Sequence, residues 1–228
     1  MTEATFEQLA DELENERRRR ERAEAAASED RARALRAQLN PHFLFNALTG
    51  IVATLDARAA AQRDHVLRLS ELLRETLRAS ERSEHELCEE FALVCAYLRI
   101  EESRRPAHIA WSLRLEPGCE AAAIPSLLLL PLVENATTHG GPGTAGRLQI
   151  DIAAVRARGG LLVTLTNSCE ASANDSAGTG LGLRNVRERL ATHYRDDAAL
   201  RVRKSDGRFE AEIEFPWSRR LASRSASA

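Results

Sequence analysis

The chain has 228 residues, 43% of them hydrophobic and 4% aromatic, and a net charge of -2. That length allows one to two domains with a packed core, and the near-neutral charge gives no support to direct nucleic-acid binding, which shows a concentrated positive field. The four cysteines, Cys88, Cys95, Cys119 and Cys169, form no CxxC pair, which argues against a zinc site or a disulfide framework and favours a reducing cytoplasm. No run reaches the ~18 apolar residues of a membrane span, and the acidic start MTEATFEQLADE is unlike a signal peptide, so a soluble chain is expected.

From Thr2 to about Leu39 the chain is rich in Glu, Arg and Ala and lacks Gly and Pro, a composition of strong helix formers. Its large apolar residues, Phe6, Leu9, Leu13 and Leu35, are sparse for a heptad. A long charged helix over residues 1–38 is predicted, a candidate coiled coil pairing with a second copy or a single solvated helix. Then comes QLNPHFLFNAL, Gln38 to Leu48, where His42 sits among apolar residues and is flanked by Asn40 and Asn46. Pro41 removes a backbone donor and predicts a kink or restart that lifts His42 clear of the upstream helix. The four-residue step to Asn46 puts both side chains on one helix face. From these residues alone His42 reads either as a functional group or as a half-buried helix residue with Phe43, Leu44 and Phe45 as core.

Leu44, Leu48, Ile51, Val52 and Leu55 continue an amphipathic stripe, and a second helix from about Gln62 to Ser80 repeats the spacing at Val66, Leu69, Leu73 and Leu77. The short ARAA segment joins the two into a hairpin. Its apolar face is most simply buried by dimerisation into a four-helix bundle. ERSEHELCEE follows as a charged connection, and then a helix from about Glu89 to Ser103 carrying Phe91, Val94, Tyr97, Leu98 and Ile100.

Beyond it the pattern changes. Strands are predicted at His108 to Leu115, Leu148 to Val155, Leu161 to Thr166, Leu200 to Lys204 and Phe209 to Phe215, with helices at Pro125 to His139 and Leu181 to His193. This second half reads as an α+β two-layer sandwich, one mixed sheet covered on one face by helices. The domain scheme is therefore a charged helix over 1–38, a hairpin over 39–86, the sandwich over 87–217 and a polar, basic, disordered tail over 218–228.

Two stretches of the sandwich carry chemistry. In LLLLPLVENATTHG, Glu134 and Asn135 interrupt an apolar helix, and a polar pair on a core-lining helix needs partners or a ligand. The Asn135 amide oxygen is a hard ligand suited to a magnesium ion that also takes phosphate oxygens and water, although a structural hydrogen bond is the commoner role of a buried Asn. In AGTGLGLRNVRERL, Gly178, Gly180 and Gly182 alternate with Thr179, Leu181 and Leu183 ahead of a helix. There backbone N–H groups and the helix N-terminus can close on an anion. The stretch lacks the GKS/T ending of a P-loop and opens no βαβ unit, so Walker and Rossmann readings lose ground.

The motifs LRAQLNPHFLFNAL, AYLRIEESR, IPSLLLLPLVENATTHG and GTGLGLRNVRERL, in this order over roughly residues 35 to 216, resemble the LytS-like sensor histidine kinases. Their ATP-binding domain belongs to the GHKL superfamily of gyrase, heat-shock chaperone, histidine kinase and MutL. The resemblance implies that His42 is the phosphoacceptor and Asn135 the N-box asparagine that holds Mg2+. It also implies that His139, Asn167 and the glycine box from Gly178 through Thr179, Gly180, Leu181 and Gly182 to Leu183 surround the ATP. Glu134 becomes a candidate base for the imidazole proton, and Asn46 a candidate to orient a water that dephosphorylates the regulator. A neutral imidazole with a pKa of about 6.5 is a competent nucleophile at neutral pH.

The implied activity is that of an ATP-dependent histidine autokinase, a homodimer that passes the phosphoryl group to an aspartate on a response regulator receiver domain. The family suggests a regulator with a DNA-binding output domain. Three departures favour an alternative, a nucleotide-poor scaffold that dimerises and docks a regulator without catalysis. Asn167 stands where relatives have Asp, with Cys169 and Ala171 at glycine positions; Thr138 replaces a phosphate-facing Lys; and the lid from Ser168 to Ala177 is short and carries Glu170 and Asp175. A hydrolytic ATPase loses ground because Pro131 occupies the turn before Asn135, where a water-activating Glu is expected.

Overall fold

A computed structural model describes residues 41–56, 59–143, 146–157, 159–169 and 181–217. The charged helix expected over 1–38, the tail over 218–228 and the segment 170–180 lie outside the described residues. The chain divides into two compact units, Met1–Ala53 and Thr54–Ala228.

Of the first unit the described part is helix α1 (Pro41–Thr54). His42 lies in its first turn and Asn46 one turn on, the register the four-residue spacing predicts.

The second unit begins with α2 (Ala60–Ser80), close to the predicted Gln62 start. Leu72 and Ala79 on its inner face are buried with Leu93 and Ile100 of the next long helix and with Leu127 and Leu130 further on. Its other apolar residues include Leu67 and Leu69, which stand 47% and 40% exposed, a size of open apolar surface that a lone helix ordinarily covers.

The stretch read as a charged connection is instead structured. Ser83 is followed by a short strand β1 (Glu84–Glu86), and α3 (Leu87–Arg104) starts directly after it. Glu89 folds back so that its carboxylate accepts the Glu86 N–H at 2.9 Å, an arrangement that closes the first turn of α3. Charged letters hid two interior residues: His85 and Glu90 are 1% and 0% exposed.

Strand β2 (Ile109–Leu115) follows, then β3 (Ala123–Pro125), which pairs antiparallel with β1. The helix expected from Pro125 begins later, as α4 (Leu130–His139). Pro125 belongs to β3, and Leu127 takes a left-handed φ of 56° that no helix interior contains. Pro131 then sits in the first turn of α4, where its missing N–H costs nothing.

The remaining elements are β4 (Leu148–Ala157), β5 (Gly160–Ser168), α5 (Leu181–Tyr194), a 3-10 turn, β6 (Ala199–Ser205) and β7 (Arg208–Pro216). They build a five-stranded sheet of order β2-β4-β5-β7-β6, with β2 parallel to β4 and the other pairs antiparallel. Alternate residues point to one face, as the period-two pattern requires. Ile150, Ile152, Ala154, Val163, Leu165, Ile213 and Phe215 pack there with Leu87, Val94 and Leu98 of α3, Leu132, Val133 and Ala136 of α4, and Val186 and Leu190 of α5. The opposite side carries Arg201–Glu214 and Arg203–Glu212 ion pairs across β6 and β7. This is the mixed sheet with one covered face that the sequence predicts. Among the described residues no helix is long and apolar enough to cross a membrane.

Candidate nucleotide site

Two close contacts fix α4, its start against the start of α5 and its end against β4 and β5. Asn135 projects from the middle of α4, half-buried, one turn beyond Pro131. The Pro131 carbonyl lies against Gly182 of α5, so closely that a Cβ on Gly182 would stand 3.0 Å from it. The last glycine of the glycine box is thus a packing glycine that lets the start of α5 touch the start of α4. Residues at i and i+4 share a helix face, so Asn135 lies on the side of α4 that meets the N-terminal end of α5.

The far end of α4 is held against β5. Gly140 follows the helix, and a side chain there would run into the Ala136 carbonyl and Leu148 and approach Asn167 Nδ2 to 3.2 Å. The Gly141 N–H donates to the Ser168 carbonyl at 3.1 Å, and Ser168 Oγ donates to the Gly141 carbonyl at 2.7 Å. Asn167, near the end of β5 and opposite Ile150 of β4, is 4% exposed. Its Nδ2 donates to the Ser168 carbonyl at 2.9 Å, and its Oδ1 has no partner among the described residues.

An orphaned buried acceptor of this kind carries a desolvation cost until a donor arrives. The exocyclic amine of adenine is such a donor, and the Nδ2 bond keeps Oδ1 as the acceptor on offer. The residues present therefore fit an adenine nucleotide: an acceptor at Asn167, a hard oxygen ligand at Asn135 and a positive helix end at α5.

Of the other predicted residues, Glu134 and His139 are exposed on α4, Leu183 packs against the core, and Leu181 opens α5; Gly178, Thr179 and Gly180 lie outside the described residues. His42 and Asn46 belong to the first unit and the nucleotide residues to the second. Partial loss of solvent around Glu134 pushes its carboxyl above the ordinary carboxylate range, the direction that suits a proton acceptor. A folded-state pKa raised above the unfolded value stabilises the fold at low pH and loses that contribution as pH climbs through the carboxylate range. Glu134→Gln is therefore expected to gain thermal stability relative to wild type as pH rises from 4 to 7, levelling off above. A difference that stays flat across that range contradicts the shift.

Sequence reading missed the groups that hold α4 from behind. Tyr97 of α3 bonds through its hydroxyl to Thr137 Oγ1 at 2.8 Å, and Thr137 donates to the Glu134 carbonyl. Glu90 takes backbone N–H groups from the turn before α4. Arg189 of α5 donates to the Ser126 carbonyl in the same turn. A signal for Glu90 was present: it falls in register with Leu87, Val94 and Leu98 on α3, and a carboxylate in an apolar stripe announces a buried partner.

The described residues thus offer an α+β domain with a buried, unpartnered amide oxygen at Asn167 and a half-buried amide at Asn135. The histidine kinase family model matches residues 30–109. The chain is 26% identical to the sensor protein LytS of Staphylococcus saprophyticus, over 81% of this chain and 33% of that protein. It is 29% identical to the sensor histidine kinase BtsS of Escherichia coli K12, over 86% of this chain and 35% of that one. Among solved structures it is similar to the histidine kinase domain of a blue-light activated kinase from Erythrobacter litoralis, at 16% identity, 77% and 96% coverage and a TM-score of 0.49. It is likewise similar to the catalytic domain of histidine kinase ThkA, at 19% identity, 59% and 94% coverage and a TM-score of 0.44. Its sequence is similar to those of LytS-type and BtsS sensor histidine kinases. It spans about a third of the length of the curated relatives it matches.

Proposed function

We propose that the chain is the ATP-dependent core of a sensor histidine kinase, which phosphorylates its own His42 and passes the phosphoryl group to an aspartate on a response regulator receiver domain. The observation that carries this reading is the buried, orphaned Asn167 Oδ1 beside Gly140 at the C-terminal end of α4. Bound MgATP supplies an electrophilic phosphorus and a cation that offsets the triphosphate charge.

The chain supplies the rest. Asn135 would give an amide oxygen to Mg2+, and Asn167 Oδ1 would accept from the adenine amine. The glycine box from Gly178 through Thr179, Gly180 and Leu181 to Gly182 and Leu183, with the N-terminus of α5, would bind the phosphates, and His139 at the end of α4 would line the pocket. A nitrogen of the neutral His42 ring forms the new N–P bond as the bond from phosphorus to the bridging oxygen breaks and ADP leaves; Glu134 takes the proton lost from the ring. Asn46, one turn beyond His42, orients a water for dephosphorylation of the docked regulator.

The hairpin of α1 and α2 dimerises the protein as a four-helix bundle, a reading supported by the open Leu67 and Leu69 of α2. The regulator is the protein partner, with no direct nucleic acid contact, and the core works in the cytoplasm.

Calorimetric titration with MgATP tests the nucleotide assignment. Saturable binding is expected, weakened about tenfold by Asn167→Ala through loss of one buried hydrogen bond. Absence of binding at millimolar MgATP would replace the kinase with the regulator-docking scaffold.

A further inference from the structure

The turn that leads into α4 is held by a carboxylate that comes from a different helix. Glu90 of α3 is fully buried, and its two oxygens are divided between two tasks. Oε1 accepts the N–H groups of Leu129 at 2.7 Å and Leu130 at 3.2 Å, the amides that open α4. Oε2 accepts the Leu127 N–H at 3.0 Å and meets Nε2 of the equally buried His85 on β1. Leu127 is the residue with the left-handed φ of 56°. A non-glycine residue in that region is strained and persists only where its surroundings over-determine it. Its side chain is tied down as well, packed with Leu72 and Ala79 of α2 and Leu93 and Ile100 of α3. On the other side of the same turn, Arg189 of α5 donates to the Ser126 carbonyl.

We propose that Glu90 is a positioning residue of the nucleotide site, holding the strained Leu127 turn and the first amides of α4 so that Asn135 meets the metal ion; this rests on the kinase reading of the site. A negative group beneath a helix N-terminus complements the helix dipole, and charge-assisted bonds to backbone N–H are the strong kind. Because α4 is a single ten-residue helix, its backbone transmits the placement of Leu129 and Leu130 to Asn135 a little over one turn downstream. The same carboxylate joins α3 to α4, while Leu127 and Leu130 join both to α2. The helix that follows the His42 segment is thereby in contact with the turn that sets the metal ligand.

The test is Glu90→Gln in the full chain. Glutamine keeps the volume but replaces one accepting oxygen with an NH2 that faces a donor at Leu127 or Leu129. Hydrogen exchange is expected to quicken at Leu127, Leu129, Leu130 and through α4, while amides of β4 and β5 keep wild-type protection. MgATP affinity should fall about tenfold, with affinity for ATP in EDTA held within about twofold, because only the metal-dependent part uses Asn135. A protein that is merely less stable loses both affinities alike and loses protection everywhere; that result overturns the proposal, as does unchanged exchange at α4. Glu90→Asp, which keeps the charge but shortens its reach, should give the same split where the glutamine variant fails to fold. If wild type binds no MgATP, the kinase reading falls, and the exchange profile alone decides whether Glu90 holds α4.

Discussion

Asn135→Ala is expected to abolish nucleotide-dependent phosphorylation of the protein, by about a hundredfold or more, while leaving its fold intact. The phosphoryl-transfer step asks the protein chiefly for alignment and charge neutralisation, so losing a protein ligand to the metal removes much of what the site contributes. Stability should hardly change. Asn135 is half-buried, lies outside the core that Leu132, Val133 and Ala136 fill, and has no side-chain bond on which α4 depends. Alanine is also the better helix former by roughly half a kcal/mol. Phosphorylation at the wild-type level under saturating magnesium, with unchanged thermal unfolding, would remove Asn135 from the site.

Gly140→Ala should fail for the opposite reason, through packing. The backbone there is extended and open to any residue, with φ at -66° and ψ at 148°, so the obstacle is space rather than conformation. A methyl group would strike the Ala136 carbonyl and Leu148 and press on Asn167 Nδ2. The end of α4 would have to move away from β4 and β5, at about 1–3 kcal/mol, and so away from the Asn167 amide on β5. Urea unfolding should show the loss of stability, and titration a parallel loss of MgATP affinity. Gly118→Ala is the control: its φ of 92° imposes backbone strain, but nothing lies within 4 Å and the site is elsewhere. A Gly140→Ala protein as stable as wild type would mean that α4 and β5 are not closely apposed.

Much of the sandwich was legible because alternation and helical periodicity report burial directly. The predicted segment Leu161 to Thr166 lies inside the observed Gly160–Ser168, and Leu181 to His193 inside Leu181–Tyr194. The start of α4 was not legible, since the run Leu127 to Leu130 is apolar whether it is helix or turn, and no letter announces a left-handed Leu127. His85 was hidden because a charged residue counts as surface in any pattern. Glu90 could be suspected from its register on α3 but not placed, since the backbone groups that satisfy it lie 37 to 40 positions away along the chain.

At the site, Asn135, Asn167 and the glycine box could be named from their motifs. The placement of Asn135 and Asn167 could not, because it depends on two close approaches, Gly182 to Pro131 and Gly140 to Asn167, that link segments far apart in sequence. At Asn167 there is no aspartate charge, yet a buried acceptor remains, oriented by its own Nδ2 bond.

The central claim is that the chain phosphorylates itself on His42. Incubation with γ-labelled ATP and magnesium, followed by acid and base treatment, tests it most directly, with His42→Ala alongside wild type. The account predicts a label on wild type that acid removes and base does not, absent from His42→Ala although that variant still binds MgATP. Label that survives in His42→Ala, or wild-type protein that binds MgATP and takes up no acid-labile label, would contradict it.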